Sequence, residues 1–250
     1  MIRNRILKAY APQIEKVIRD YFSATAYAVE QKGIHHAQGI VHSDHVLPGL
    51  TTVIQNLYRD AVKMATKKPV VNTKAFPHWL QIVFGFLDRF LLNKVVLPIS
   101  QTTIDQVDEM LKEALDKGWG TTQMVDALKN TELPAWRARL ISRTETVRAT
   151  NIAQMVQATQ SPFETEKMWI AVEDNRTRFT HTHAGVDGER VGLYEKYSNG
   201  GYFPGDPNLP AKEVCNCRCT QGFFAKRDLD GNLVPRDPQT AELELAKLLN

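Results

Sequence analysis

Lys167-Met168-Trp169-Ile170-Ala171-Val172 alternates side chains as a half-buried strand does, and Val186-Asp187-Gly188-Glu189-Arg190-Val191 sets Asp-Gly between apolar flanks. The first pattern has the period of a pleated strand. In the second, Asp-Gly supplies the positive φ angles of a tight hairpin turn. Glu213 to Phe224 reads as a last strand, and on it Cys215, Cys217 and Cys219 would project to one face. Just upstream, Pro134 sits at a first-turn position where its missing amide proton costs nothing, and a long helix runs from there to about Gln157. These readings give an α+β fold: a mostly helical N-terminal region, then a small α+β module with a short antiparallel sheet packed on a long helix. The expected boundaries are 1–132 for the helical region, 133–228 for the module and 229–250 for a tail. That tail carries an Asp230-Gly231 turn and a short amphipathic helix over Thr240 to Leu249.

The N-terminal region reads as a series of helices. Gln13 to Gln31 is followed by Gly33. Leu47 to Lys67 carries Leu50, Val53, Ile54, Leu57, Ala61 and Met64 at spacings of three and four. Phe76 to Val96 is apolar nearly all round, with Pro98 closing it; such a helix is buried on several sides, either by its own domain or by docking onto a partner. Thr103 and Gln106 form a capping-box pattern for the next helix, and Gly118 suits its left-handed cap. Thr121 or Thr122 caps a short helix to Leu128.

The 250-residue chain holds 31 Lys plus Arg against 28 Asp plus Glu, a net charge of +3 that does not announce a nucleic-acid protein. Its 43% hydrophobic content argues against wholesale disorder. All three cysteines lie between Cys215 and Cys219, so they make no spread disulfide framework, and reduced thiols in a cytoplasmic setting are expected. Residues 1 to 12 hold no apolar core of a signal peptide. The most apolar stretch, Trp79 to Leu97, carries Asp88, Arg89 and Lys94, which argues against a membrane span. Phosphate-binding glycine loops, the serine-hydrolase elbow and His-Glu-x-x-His are absent.

What the sequence does hold is an ordered polar set. Ser142-Arg143-Thr144-Glu145 and Asn151 lie on the long helix. Trp169, Asp174-Asn175-Arg176-Thr177-Arg178 with His181, and Asp187-Gly188 come next. Tyr202-Phe203-Pro204-Gly205-Asp206-Pro207 and Asn216-Cys217-Arg218-Cys219 follow. Over roughly residues 100 to 225 this set resembles the phage Mu F-like family of minor head proteins, also called phage head morphogenesis proteins. The resemblance implies a minor capsid protein in the virion, near the portal vertex, assisting head assembly and DNA packaging without catalysis. The implied partners are the portal protein and the major capsid protein, in multiple copies around the portal, with double-stranded DNA as a further one and no membrane. Residues before about 100 carry no resemblance.

Many relatives carry a Cys-x-x-Cys before the Asp-Gly turn and a His before the Cys-Arg-Cys. Here His181 and His183 replace the first pair, and Cys215 precedes Asn216. Two readings of His181, His183, Cys217 and Cys219 stand side by side: a structural zinc site of two imidazoles and two thiolates, or a hydrogen-bonded core with free thiols. Arg143, Glu145, Asn151, Asp174, Arg176, Arg178 and Asp187 read as a polar network locking the long helix onto the sheet. The competing enzyme reading is a metal-dependent nuclease or other phosphodiester hydrolase with His181 or His183 and Asp174 at the metal. Arg137, Arg139, Arg143 and Arg148 offer either a phosphate-contacting face or a solvated one with Arg143 turned inward. His35, His36, His42, Asp44 and His45 read as a His-rich loop, with a metal cluster or a pH-sensitive contact as alternatives.

Overall fold

The computed structural model describes residues 2–37, 46–66, 76–178 and 183–236, without the side chains of 35, 36 and 76–79. Helices α1 (Ile2–Lys32), α2 (Ile34–Ala37), α3 (Leu47–Ala65) and α4 (Phe76–Leu91) lead into a π-helical turn, Leu92–Val96. Then come α5 (Leu97–Asp116), α6 (Thr121–Asn130) and the long α7 (Leu133–Ala158). Strands β1 (Thr165–Ile170), β2 (Arg190–Gly192) and β3 (Thr220–Ala225) form one antiparallel sheet in the order β2-β1-β3, with the single turn α8 (Ala211–Val214) before β3. The α+β expectation holds. Of the histidine-rich stretch at 35–45, the backbone of 35–37 belongs to α2, whereas 38–45 and the tail helix at 240–249 lie outside the described residues.

Two compact units divide the chain. One gathers the first residues through Ile6, Asn56–Phe90 and the chain from Arg143 onward; the other holds Leu7–Gln55 and Leu91–Ser142.

Several helix limits differ from the sequence reading, each for a local reason. α1 starts well before Gln13 and runs through Pro12. Proline removes one helical amide donor there, and the Gln13 carboxamide donates to the Ala9 carbonyl at 2.9 Å beside the gap. Pro98 does not close a helix; it lies in the first turn of α5, directly after the π turn. In that turn the Leu97 amide bonds to the Leu92 carbonyl, so the wider spacing absorbs the register change a proline imposes. Thr103 is therefore no cap but a buried interior residue, its hydroxyl donating to Ile99 O at 2.7 Å and accepting from Arg137 Nε at 2.7 Å. The cap of α6 is Gly120, whose amide is held by Gln123 Oε1 at 2.9 Å. Gly118 does take the left-handed cap after α5, at φ +65°, with Trp119 N on Ala114 O and Gly118 N on Leu115 O.

α4 also departs from expectation. Val83, Leu87 and Phe90 are buried, whereas Gln81, Gly85 and Arg89 are exposed, so the helix is one-sided. Its outward aromatics are covered by cations: Arg59 stands 5.6 Å from the Phe84 ring and Arg89 5.1 Å from that of Phe86. Arg59 is itself fixed by Asp88 at 2.5 Å.

In the sheet, Lys167 and Trp169 are buried while Glu166, Met168 and Ile170 alternate outward. Trp169 opposes Gln221 and Lys167 opposes Val191. A small core gathers Trp169, Ala171, Val186, Tyr197, Cys217 and Cys219, with Trp169 edge-on to Tyr197 at 5.2 Å. Asp187-Gly188 does not join two strands. It ends a 3-10 turn, Ala184–Val186, and feeds β2, whose partner is β1. The span from Glu213 is not one strand either: α8 and a turn with Asn216 at φ +57° precede β3. The three cysteines thus share no strand face, and the turn buries Cys217 and Cys219 while Cys215 stays half-exposed.

Two glycines in helices give a prediction of opposite signs. A Cβ on Gly49 would lie 2.9 Å from Val17 Cγ1, a β-branched side chain with little freedom to move. A Cβ on the exposed Gly85 would meet nothing within 4 Å. Gly85→Ala is expected to stabilise by about 0.5–1 kcal/mol through helix propensity. Gly49→Ala is expected to lose about 1 kcal/mol net, because overpacking outweighs that gain. Urea unfolding of the two variants measures both signs.

Candidate functional site

The site is built on α7. From Thr144 its side chains are buried almost all round, and the polar ones among them recur at helical spacing: Thr144 and Glu145, then Arg148, Asn151 and Gln154. Between them they hold Tyr58, the Pro204-Gly205 loop, Asn216 and the start of β3. Thr144 Oγ1 accepts the amide of Asn216 at 3.1 Å. Arg148 donates Nε to the Gly205 carbonyl at 2.6 Å and Nη1 to both oxygens of Glu145 at 2.6 and 2.7 Å. Tyr58 Oη donates to Glu145 Oε2 at 2.7 Å. Asn151 Nδ2 donates to Pro204 O at 2.9 Å and Cys219 O at 3.2 Å, while its own carbonyl accepts Gln221 Nε2 at 2.9 Å. Thr220 Oγ1 reaches Asn151 Oδ1 and Gln154 Oε1.

Gly205 shows why Pro204-Gly205 stands in that loop. Its φ is +89°, and a Cβ there would already sit 3.5 Å from the Arg148 backbone. That distance is ordinary contact, so it is the left-handed backbone, not lack of space, that calls for glycine here. Burial lowers the Arg148 pKa, but Glu145 and Tyr58 outweigh it and hold the guanidinium above its ordinary value. Burial, then the Glu145 charge, push the Tyr58 phenol well up. The cluster is therefore one ion pair with a neutral phenol on it.

Beside the segment that Thr144 and Asn151 hold, His183 meets two thiols. Its Nδ1 lies 3.3 Å from Cys219 Sγ and 3.8 Å from Cys217 Sγ, and the three ligand atoms fall within 4.8 Å of one another. All three residues are buried. On the far side of the ring, Nε2 stands 3.4 Å from Glu213 Oε2 and 3.2 Å from Arg178 Nη1. A hydrogen bond from Cys217, against burial and with help from His183 and Trp169, holds the Cys219 thiol below its ordinary value. The same contact, followed by burial, pushes Cys217 up.

The donor set suits zinc. Tetrahedral zinc with one imidazole and two thiolates implies N···S edges of about 3.5 Å, and the observed edges bracket that value. A cavity of about 20 Å³ adjoins the cluster, lined by Arg176, Thr177 and Asn216 as well as His183, Cys217 and Cys219. That is room for about one water-sized body. His181 lies outside the described residues.

The remaining expected site residues divide between separate contacts. Asp174 is clasped by Arg218, with Nη2 to Oδ1 at 2.7 Å and Nη1 on Oδ2. That bond, then the Arg176 amide, hold its carboxyl down to about 2. Arg178 bridges two backbone carbonyls, Glu213 O at 3.1 Å and Cys215 O at 2.6 Å. Asp187 Oδ1 accepts the Ala171 amide at 2.7 Å. The Arg176 side chain is exposed and enters no ion pair among those of the described residues. Arg143 does not turn inward: it is exposed, as is Arg139, whereas Arg137 and Arg148 are buried. Glu145 thus pairs with Arg148 in place of Arg143. Tyr58 escaped the sequence reading, and the partner roles of Arg148, Arg218 and Glu213 were not read from it. For Arg148 a signal was present, since it lies three residues from both Glu145 and Asn151 on the helix.

Fold and site together define a small α+β module clasped to a buried helix by its own polar side chains. Residues 105–222 match the family described as Phage Mu protein F like protein, which bears out the resemblance read from the sequence. The chain is also 29% identical over 125 residues to the uncharacterized protein YqbB of Bacillus subtilis (strain 168), covering 47% of this chain and 40% of that protein. It thus spans well under half of that relative's length. No solved structure matches the chain. Among the described residues, no helix is long and apolar enough to cross a membrane.

Proposed function

We propose that this protein is a phage minor head protein that works at the portal vertex, where it assists head assembly and DNA packaging as a structural component. The observation that carries the reading is the match of residues 105–222 to the Phage Mu F-like family. The chemistry of the site supports it. Asp174, which a phosphodiester hydrolase would need at its metal, is neutralised by Arg218. The carboxylate of Glu145 is likewise occupied by Arg148 and Tyr58. Only two of the four α7 arginines are exposed, which reduces the phosphate-contacting face that the helix offers.

Zinc belongs to the same proposal in a structural role. His183, Cys217 and Cys219 would hold it, and it would supply a cross-link between the turn at His183 and the chain around Cys217. In a small module such a cross-link adds folding free energy directly.

The experiment is co-expression of the full chain with the portal and major capsid proteins of its phage, followed by sedimentation of the particles. The expected result is co-sedimentation with portal-containing procapsids and loss from particles assembled without portal. Equal incorporation with and without portal, or none in either, would overturn the portal assignment.

A further inference from the structure

The geometry assigns Glu213 as the positioning residue of the metal centre and Nδ1 as the nitrogen of His183 that takes the metal, an inference that rests on the zinc reading above. The ring orientation comes first. Both thiols lie on the Nδ1 side, at 3.3 and 3.8 Å. Nε2 points the other way, toward Glu213 Oε2 at 3.4 Å and Arg178 Nη1 at 3.2 Å. An ion between the sulfurs can therefore be reached by Nδ1 alone.

The proton inventory of the ring then decides between the two groups on its far side. A neutral imidazole carries one N–H, and an arginine has donors only. When Arg178 donates to Nε2, the ring proton sits on Nδ1 and points at Cys219. When a metal takes the Nδ1 lone pair, the proton moves to Nε2, where Arg178 can no longer donate. The acceptor within reach is Glu213 Oε2, which is part of a side chain only 11% exposed. Carboxylates in this position fix the tautomer and raise the basicity of the ligating nitrogen. The bonds of Arg178 to Glu213 O and Cys215 O do not involve the ring, so they remain available when the ring proton changes place. Glu213 stands at the end of α8, four residues before Cys217, so the turn that presents the thiols also presents the carboxylate.

The test uses the purified full chain, with zinc affinity measured by chelator competition and imidazole nitrogen shifts recorded on the zinc-loaded, ¹⁵N-histidine-labelled protein. Expected are one equivalent of zinc, its loss in Cys217→Ser and Cys219→Ser, and a 10–100-fold weaker affinity in Glu213→Ala. Glu213→Gln, whose amide oxygen still accepts a hydrogen bond, should lose less. The His183 shifts should report coordination at Nδ1 with a proton on Nε2. If the cysteine variants lose zinc while Glu213→Ala binds within twofold of wild type, or if Nε2 is the coordinated nitrogen, the assignment is overturned and the metal centre stands. If the wild-type chain takes up no zinc, both fall together.

Discussion

Arg148→Met is expected to destabilise the protein by about 3–5 kcal/mol, since it leaves the Glu145 carboxylate buried with no charge to offset it. Glu145 is 2% exposed and Arg148 5%, so water cannot replace the lost partner. Tyr58 Oη offers one hydrogen bond, which is far less than a desolvated carboxylate needs. The substitution also removes the donor that Arg148 Nε offers to the Gly205 carbonyl. The double variant Glu145→Leu/Arg148→Met should recover most of the loss, because a buried pair and its apolar replacement are often close in free energy. Arg143→Met, one turn away but exposed, should stay within about 0.5 kcal/mol of wild type. Urea unfolding with a common slope for all four proteins measures the set. An Arg148→Met midpoint indistinguishable from that of Arg143→Met would remove the ion pair from any account of how this module holds to its helix.

That contrast also shows what the sequence could and could not reveal. The long helix and the first strand were legible because each depends on a local rule, proline at a helix start and alternation along a strand; Asp187-Gly188 was legible only as a turn, since Gly188 alone takes the positive φ and no hairpin forms there. The joining of His183 with Cys217 and Cys219 was anticipated in kind, from the imidazoles of His-x-His and the thiols of Cys-x-Cys. The partner choices were not legible. Which of four arginines on α7 turns inward depends on the rotation of the helix beneath the Pro204-Gly205 loop, and that rotation is set by tertiary packing. The capping reading at Thr103 failed for a related reason: the π turn at Leu92–Val96 carries the helical path through Pro98, so the threonine falls inside a helix. The single strand drawn through the cysteines failed because Asn216 adopts a left-handed conformation, open to asparagine but not signalled by its neighbours.

Lys167 carries the second large expectation, a stability that rises with pH above neutrality. It is fully buried on β1, donating to the Leu193 carbonyl at 2.8 Å between the rings of Tyr197 at 5.3 Å and Tyr202 at 5.7 Å. Burial pulls its pKa down to about 7, against the charges of Asp206 and Glu195, which raise it. In the unfolded chain the ammonium returns to its ordinary value near 10.4. Between those values the unfolded state binds the extra proton, so unfolding becomes less favourable as pH rises. Below about pH 7 both states are protonated, and the penalty for holding a charge in the core is then full. Cys219, held low in the folded state, acts in the same direction up to its unfolded value, and the raised tyrosines act the other way above pH 10. The lysine's share is therefore the difference between wild type and Lys167→Met across pH 7.5–9.5. Wild type should gain on the variant by roughly 1.4 kcal/mol per pH unit in that window. Parallel stability curves for the two proteins would mean that Lys167 keeps its proton in the folded core, with the aromatic rings and Asp206 offsetting its desolvation.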